Sequence, residues 1–162
     1  MLRGIIFDVD GTLVDSNDAH ADSWAEIFSN AGYDVPFDVV RPLIGKGGDK
    51  LLPETIGVES ESAEGKRLSE MRWKLFKEKY LPNLKPLDGA RALVQRVRND
   101  GLQTIIATSA TGEELHSLLK AAEVADLMEE KASSADAKRS CGICRPIRRS
   151  RRRANAGSAA SA

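Results

Sequence analysis

A short apolar run that ends in acid constrains this chain more than any other feature. Ile5, Ile6 and Phe7 favour strands, and two carboxylates two positions apart, Asp8 and Asp10, follow them before Gly11 and Thr12. The pattern reads as a buried strand that delivers acids to its carboxyl end. In open α/β sheets ligands bind at that end, so Asp8 and Asp10 are expected at the mouth of the fold, with Gly11 permitting a tight turn behind them.

Two acids so placed suit phosphoryl transfer. One carboxylate can attack phosphorus and form an acyl phosphate, while the second protonates the leaving alkoxide and then deprotonates the incoming water. Asp8 is expected to attack and Asp10 to move protons. A hard cation with oxygen ligands, Mg²⁺, held by Asp8 and Asp10, would offset their repulsion of a phosphate.

The wording FDVDGTLVDS resembles the first motif of the haloacid dehalogenase-like hydrolases, in the helical-cap subgroup that includes phosphoglycolate phosphatases and β-phosphoglucomutases. The resemblance runs from about residue 1 to about residue 140. It implies an α/β fold with a Rossmann-like parallel sheet and an inserted α-helical cap. It also implies Mg²⁺, an aspartyl-phosphate and a small phosphorylated metabolite as substrate. A sugar phosphomutase shares that intermediate and is the alternative enzyme.

The chain order fits such an insertion. Apolar positions from Ala19 to Ala31 recur at helical spacing after Asp15, and Gly32 closes that helix. His20 lies one turn before Trp24 in a DSxxxH context, which in related capped enzymes falls near the hinge of the cap; a satisfied surface histidine is the plain alternative. In GKGGDK, Gly45 lets backbone approach a ligand, and Lys46 and Lys50 can meet an anion, as the substrate-contacting cap loop of the subgroup would. The GxxxxGK[ST] spacing of a nucleotide phosphate loop is absent.

A long helix is expected over 62–80, with Leu68, Met71, Leu75 and Phe76 inward and its charges forming a solvated face. Pro82 and Pro86 mark the return to the core, followed by a helix with Leu93, Val94 and Val97 as its apolar stripe. The domain reading is therefore a core of residues 1–15 and 83–140, a cap of 16–82, and an aberrant basic tail of 141–162.

Thr104 to Ala107 reads as a second buried strand, and the hydroxyls of Thr108 and Ser109 emerge at its end. If this strand is a parallel neighbour of the first, they share a rim with Asp8 and can hold a phosphate oxygen. The resemblance places phosphate binding on Thr108, the end of the family's second motif. A Thr there can also simply cap the next helix, over 113–122.

The resemblance stops near Ser140, where a family member would present a Lys in an S-K-P context and further acidic metal ligands. Lys138 lacks that context. All 24 Asp and Glu fall at or before Asp136, against 17 Lys and Arg up to Lys138, which gives −7; residues 139–162 carry seven Arg and no acid. The switch to Arg, Ala, Ser, Gly and Cys without periodicity fits a change of reading frame in a GC-rich gene. A nucleic-acid or anion-binding arm is the rival reading of RRSRRR. Cys141 and Cys144 form a CxxC with no second ligand pair. On this reading the motif strand lacks a neighbour, the metal shell is incomplete, and catalysis by residues 1–162 is weak.

With 41% hydrophobic and 30% charged residues, the composition is that of a globular protein, and no apolar run reaches the ~20 residues of a membrane span. The amino terminus enters a strand at once and leaves no room for a signal peptide. A cytoplasmic monomer without membrane or nucleic-acid partners is the expectation.

Overall fold

The computed structural model describes residues 2–46, 48–110, 112–128 and 131–133. Lys138, the Cys141/Cys144 pair and the arginine run lie outside the described residues, as do the expectations attached to them. The first strand, β1 (Gly4–Phe7), is followed by helices α1 (Asn17–Asn30), α2 (Phe37–Val40), α3 (Gly48–Ile56) and α4 (Ala63–Leu75). Then come α5 (Ala90–Asn99), β2 (Gln103–Thr108), α6 (Gly112–Ala121) and β3 (Lys131–Ser133). The sheet runs in the order β1-β2-β3, and both pairings are parallel. Gly4 pairs with Gln103 and Phe7 with Ile106, so β1 and β2 end at the same side. Parallel neighbours require a crossover, and the helices between the strands supply it.

Two apolar clusters organise these elements. One gathers Phe7 and Ile106 from the sheet, Val9, Leu13 and Val14 from the turn after β1, and the inward faces of α5 and α6. The other is all helical: Trp24, Ile27 and Phe28 of α1 pack with Val40, Leu51, Leu52 and Leu68. Between them the chain passes twice through one narrow place, where Asp15 N–H donates to Lys85 O at 3.0 Å and Leu87 N–H to Leu13 O at 3.1 Å.

Several expectations about burial are corrected. Ile6 is 59% exposed, and in the second strand Ile106 is buried while Ala107 is exposed. Among the described residues β1 has β2 alone as a partner and stands at the edge of the sheet. Met71, at 38% exposure, and Leu93, at 52%, point outward, whereas Arg72 is buried. The expected loop at 45–50 is helical from Gly48, because Leu51 and Leu52 must reach the second cluster. The long helix at 62–80 is regular only to Leu75 and continues as a π-helical turn over Phe76–Tyr80. Such turns are rare and frequently lie at functional sites. Here the turn carries Phe76, which is fully buried.

The start of α4 shows how tightly the helical part is folded. Ser62 Oγ accepts the Gly65 N–H at 3.0 Å, satisfying one of the unpaired amides of the first turn. The preceding segment lies directly over Gly65: a Cβ there would come 2.3 Å from Glu59 O and 2.7 Å from Ser60 O. Gly65→Ala should therefore destabilise the protein by about 1–3 kcal/mol in chemical denaturation, despite the better helix propensity of Ala. Among the described residues no helix is long and apolar enough to cross a membrane.

Candidate active site

The turn after β1 is built to present two acids. Val9 is completely buried between them, and its carbonyl accepts from the N–H groups of Thr12, Leu13 and Val14. Gly11 has φ of +71°, and a Cβ at that position would meet the Asn17 side chain at 2.1 Å; the turn thus requires glycine. Val9 anchors the loop inward, and the alternation of a strand end turns its two neighbours outward.

The acids have different surroundings. Asp8 is exposed, and its Oδ1 accepts the Val9 N–H at 2.8 Å. Asp10 is half-buried, and two donors converge on its Oδ1: Ser16 Oγ at 2.5 Å and His20 Nε2 at 2.8 Å. Burial pushes the Asp10 carboxyl up, but the hydrogen bonds from His20 and Ser16 and the charge of Arg72 outweigh it and hold the group below the ordinary aspartate value.

Behind His20 lies a network not foreseen from sequence. Ser16, His20, Ser23 and Arg72 are the buried polar residues among those described, and all belong to it. Arg72 donates to Ser23 Oγ from Nε at 3.2 Å, to Glu114 Oε1 from Nη1 at 2.8 Å, and to His20 Nδ1 from Nη2. Ser23 Oγ in turn donates to the His20 carbonyl at 2.8 Å. The His20 ring stacks on Phe76 at 4.4 Å between centroids, with planes 3° apart, and the guanidinium lies over Phe76 at 4.7 Å and Trp24 at 5.7 Å. His20 is thus no surface histidine, and Arg72 does not belong to the solvated charge face of α4. The DSxxxH spacing was the available signal for Ser16 and His20. Arg72, Ser23 and Glu114 had none.

The other expected site residues fall into two groups. Thr108 and Ser109 stand at the end of β2, on the side of the sheet where Asp8 leaves β1. Thr108 Oγ1 accepts the Ala110 N–H at 3.1 Å, so the hydroxyl shapes its own loop and keeps its hydrogen for another acceptor. Gly45, Lys46 and Lys50 belong to the helical part. Gly45 has φ of +96°, Lys46 Nζ pairs with Glu54 at 2.9 Å, and Lys50 is exposed on the first turn of α3. No hydrogen bond or ion pair among the described residues joins these three to the acids.

Among the described residues no group of three or more His, Cys, Asp or Glu is gathered around a metal position. The two carboxylates remain a fitting donor set for Mg²⁺. That ion favours oxygen and is commonly held by one or two carboxylates plus water and substrate phosphate.

Comparison with known proteins agrees with this architecture. The chain is 30% identical over 142 residues to the Arabidopsis thaliana protein SUPPRESSOR OF QUENCHING 1, chloroplastic, covering 84% of this chain and 13% of that protein. It is also 30% identical over 148 residues to protein CbbY, plasmid, of Cupriavidus necator, covering 84% of this chain and 58% of the relative. The crystal structure of a hydrolase from Pseudomonas syringae superposes with a TM-score of 0.72 at 26% identity, over 83% of this chain and 62% of that one. The chain therefore spans less than two thirds of each of these relatives. A sequence model described as haloacid dehalogenase-like hydrolase matches residues 5–158, beyond Ser140 where the motif resemblance stops. With that match running through the acid-bearing turn and the parallel strands, the chain belongs to the haloacid dehalogenase-like hydrolase family.

Proposed function

We propose that the site transfers a phosphoryl group from a small phosphorylated metabolite to Asp8 and then to water. The observation that carries this reading is the asymmetry of the two acids. Asp8 has one oxygen held by the Val9 N–H and the other, Oδ2, open at the strand end. Asp10 has both donors on Oδ1, so its proton-carrying atom is Oδ2. As the substrate phosphate dianion arrives beside it, Asp10 takes up a proton from solution on Oδ2; in the first step Asp8 Oδ2 attacks phosphorus, the bond from phosphorus to the ester oxygen breaks, and Asp10 Oδ2 gives that proton to the leaving alkoxide. In the second step Asp10 Oδ2 takes a proton from water as that water attacks the aspartyl-phosphate, which releases inorganic phosphate and restores Asp8.

The Thr108 hydroxyl would donate to a phosphate oxygen, with Ser109 beside it. Asp8 and Asp10 would hold Mg²⁺, which when bound supplies charge neutralisation for the acids and the phosphate. Residues 1–15 and 83–140 form the core on this reading. Residues 16–82 form a cap whose Gly45, Lys46 and Lys50 select the substrate.

Transfer is a more direct test than turnover, because it needs a single event. The chain would be incubated with radiolabelled acetyl phosphate and Mg²⁺, quenched in acid and digested. A hydroxylamine-labile label on Asp8 is expected, lost when Mg²⁺ is chelated. No label, or a label elsewhere, would overturn the proposal.

A further inference from the structure

Arg72 is the only buried Arg or Lys among the described residues, at 8% exposure, and no step proposed above uses it. A guanidinium offers five N–H donors and no acceptor, and it keeps its proton throughout the range in which proteins are folded. Whatever faces it must supply a lone pair. Facing Arg72 Nη2 is the Nδ1 of His20, 52 residues earlier in the chain. A neutral imidazole with its lone pair on Nδ1 carries its proton on Nε2, and Nε2 lies 2.8 Å from Asp10 Oδ1. A half-turn of the ring about Cβ–Cγ would keep its plane against Phe76 but carry both nitrogens away from Arg72 and Asp10, so the two hydrogen bonds hold the ring in this orientation.

We infer that Arg72 is a positioning residue for the proton-transfer acid: it fixes His20 as the Nε2–H tautomer and makes that nitrogen a donor to Asp10 Oδ1, which holds the carboxylate in one orientation. The inference rests on the reading of Asp10 as acid and base. The fork geometry is what the role demands. Nε on Ser23 and Nη1 on Glu114 hold the guanidinium plane so that Nη2 can point only at the imidazole. Glu114 lies on α6, the helix that follows the Thr108 loop, so one side chain aligns the acid/base end of the site and the helix behind its phosphate-binding end. An alanine or a methionine would fill space in α4 but could not set the tautomer.

The test is the nitrogen spectrum of the imidazole, which requires no turnover; failure of this inference is thus distinct from failure of the phosphatase reading. Long-range proton–nitrogen correlation on the ¹⁵N-labelled full chain reports each histidine, with exposed His116 as the internal reference. His20 is expected as a single species, with Nδ1 at a lone-pair shift and Nε2 at a protonated shift. Arg72→Gln presents an acceptor as well as a donor to Nδ1 and should move the Nδ1 resonance towards the protonated position, while Arg72→Lys, which only donates, should restore it. A protonated Nδ1 in the parent, or an unchanged His20 spectrum in folded Arg72→Gln, would overturn the inference. If the Gln variant does not fold, Asp10→Asn decides. With Arg72 in place the Nε2–H species should persist without the carboxylate, and its loss would show that Asp10 rather than Arg72 sets the tautomer.

Discussion

Asp8→Asn is expected to lower phosphoryl transfer from small phosphate monoesters by at least about a thousandfold, because the amide retains the shape of the side chain but has no nucleophilic oxygen anion. The exchange is otherwise gentle. The amide oxygen can still accept the Val9 N–H, and Asp8 is exposed, so stability should stay within about 0.5 kcal/mol of the parent. The measurement pairs initial rates of ester hydrolysis with a denaturation curve for parent and variant. A residual rate above about one thousandth of the parent, in a variant of unchanged stability, would remove Asp8 from the role.

The second large effect is on stability. Arg72→Ala should cost about 3–5 kcal/mol, the range seen when one partner of a buried charge pair is removed and the other stays behind. Glu114, Ser23 and His20 would each lose a donor, and two aromatic faces, Phe76 and Trp24, would lose the cation lying over them. A control lies one turn away on the same helix. Arg67 pairs with Glu64 at 2.7 Å at the surface, and Arg67→Ala should cost less than about 1 kcal/mol. Urea unfolding followed by tryptophan fluorescence compares the two directly. Equal losses would mean that burial of the Arg72 network contributes nothing beyond an ordinary surface pair.

Much of the architecture could be read from local pattern. The acid-ended strand, its parallel partner and the intervening helices each leave a signature in spacing or punctuation that depends on a few neighbouring residues. Gly11 and Gly65 show the limits on either side. The first sits where a tight turn was expected, whereas the second is required by a crossing segment that no periodicity reveals. Arg72 was hidden for the same reason. Leu68 and Arg72 of α4 and Phe76 of the π-helical turn after it recur every four residues, and a basic residue there looks like part of a charged face until partners 42 to 52 residues away in sequence are brought to it. Lys46 had the opposite history. It looked unpaired, and a glutamate eight residues on meets it in an exposed pair of the weak kind that an anionic ligand can displace.

The position of β1 at the end of the described sheet has a consequence for handling the protein. A strand edge carries a row of backbone donors and acceptors that another chain can pair with, and proteins commonly blunt such edges with charge or proline. Gly4–Phe7 contains neither, and its Ile6 faces outward. The strand that leads into the two acids thus also offers, among the described residues, an edge for pairing with a second chain, and pairing there would crowd the turn that presents them.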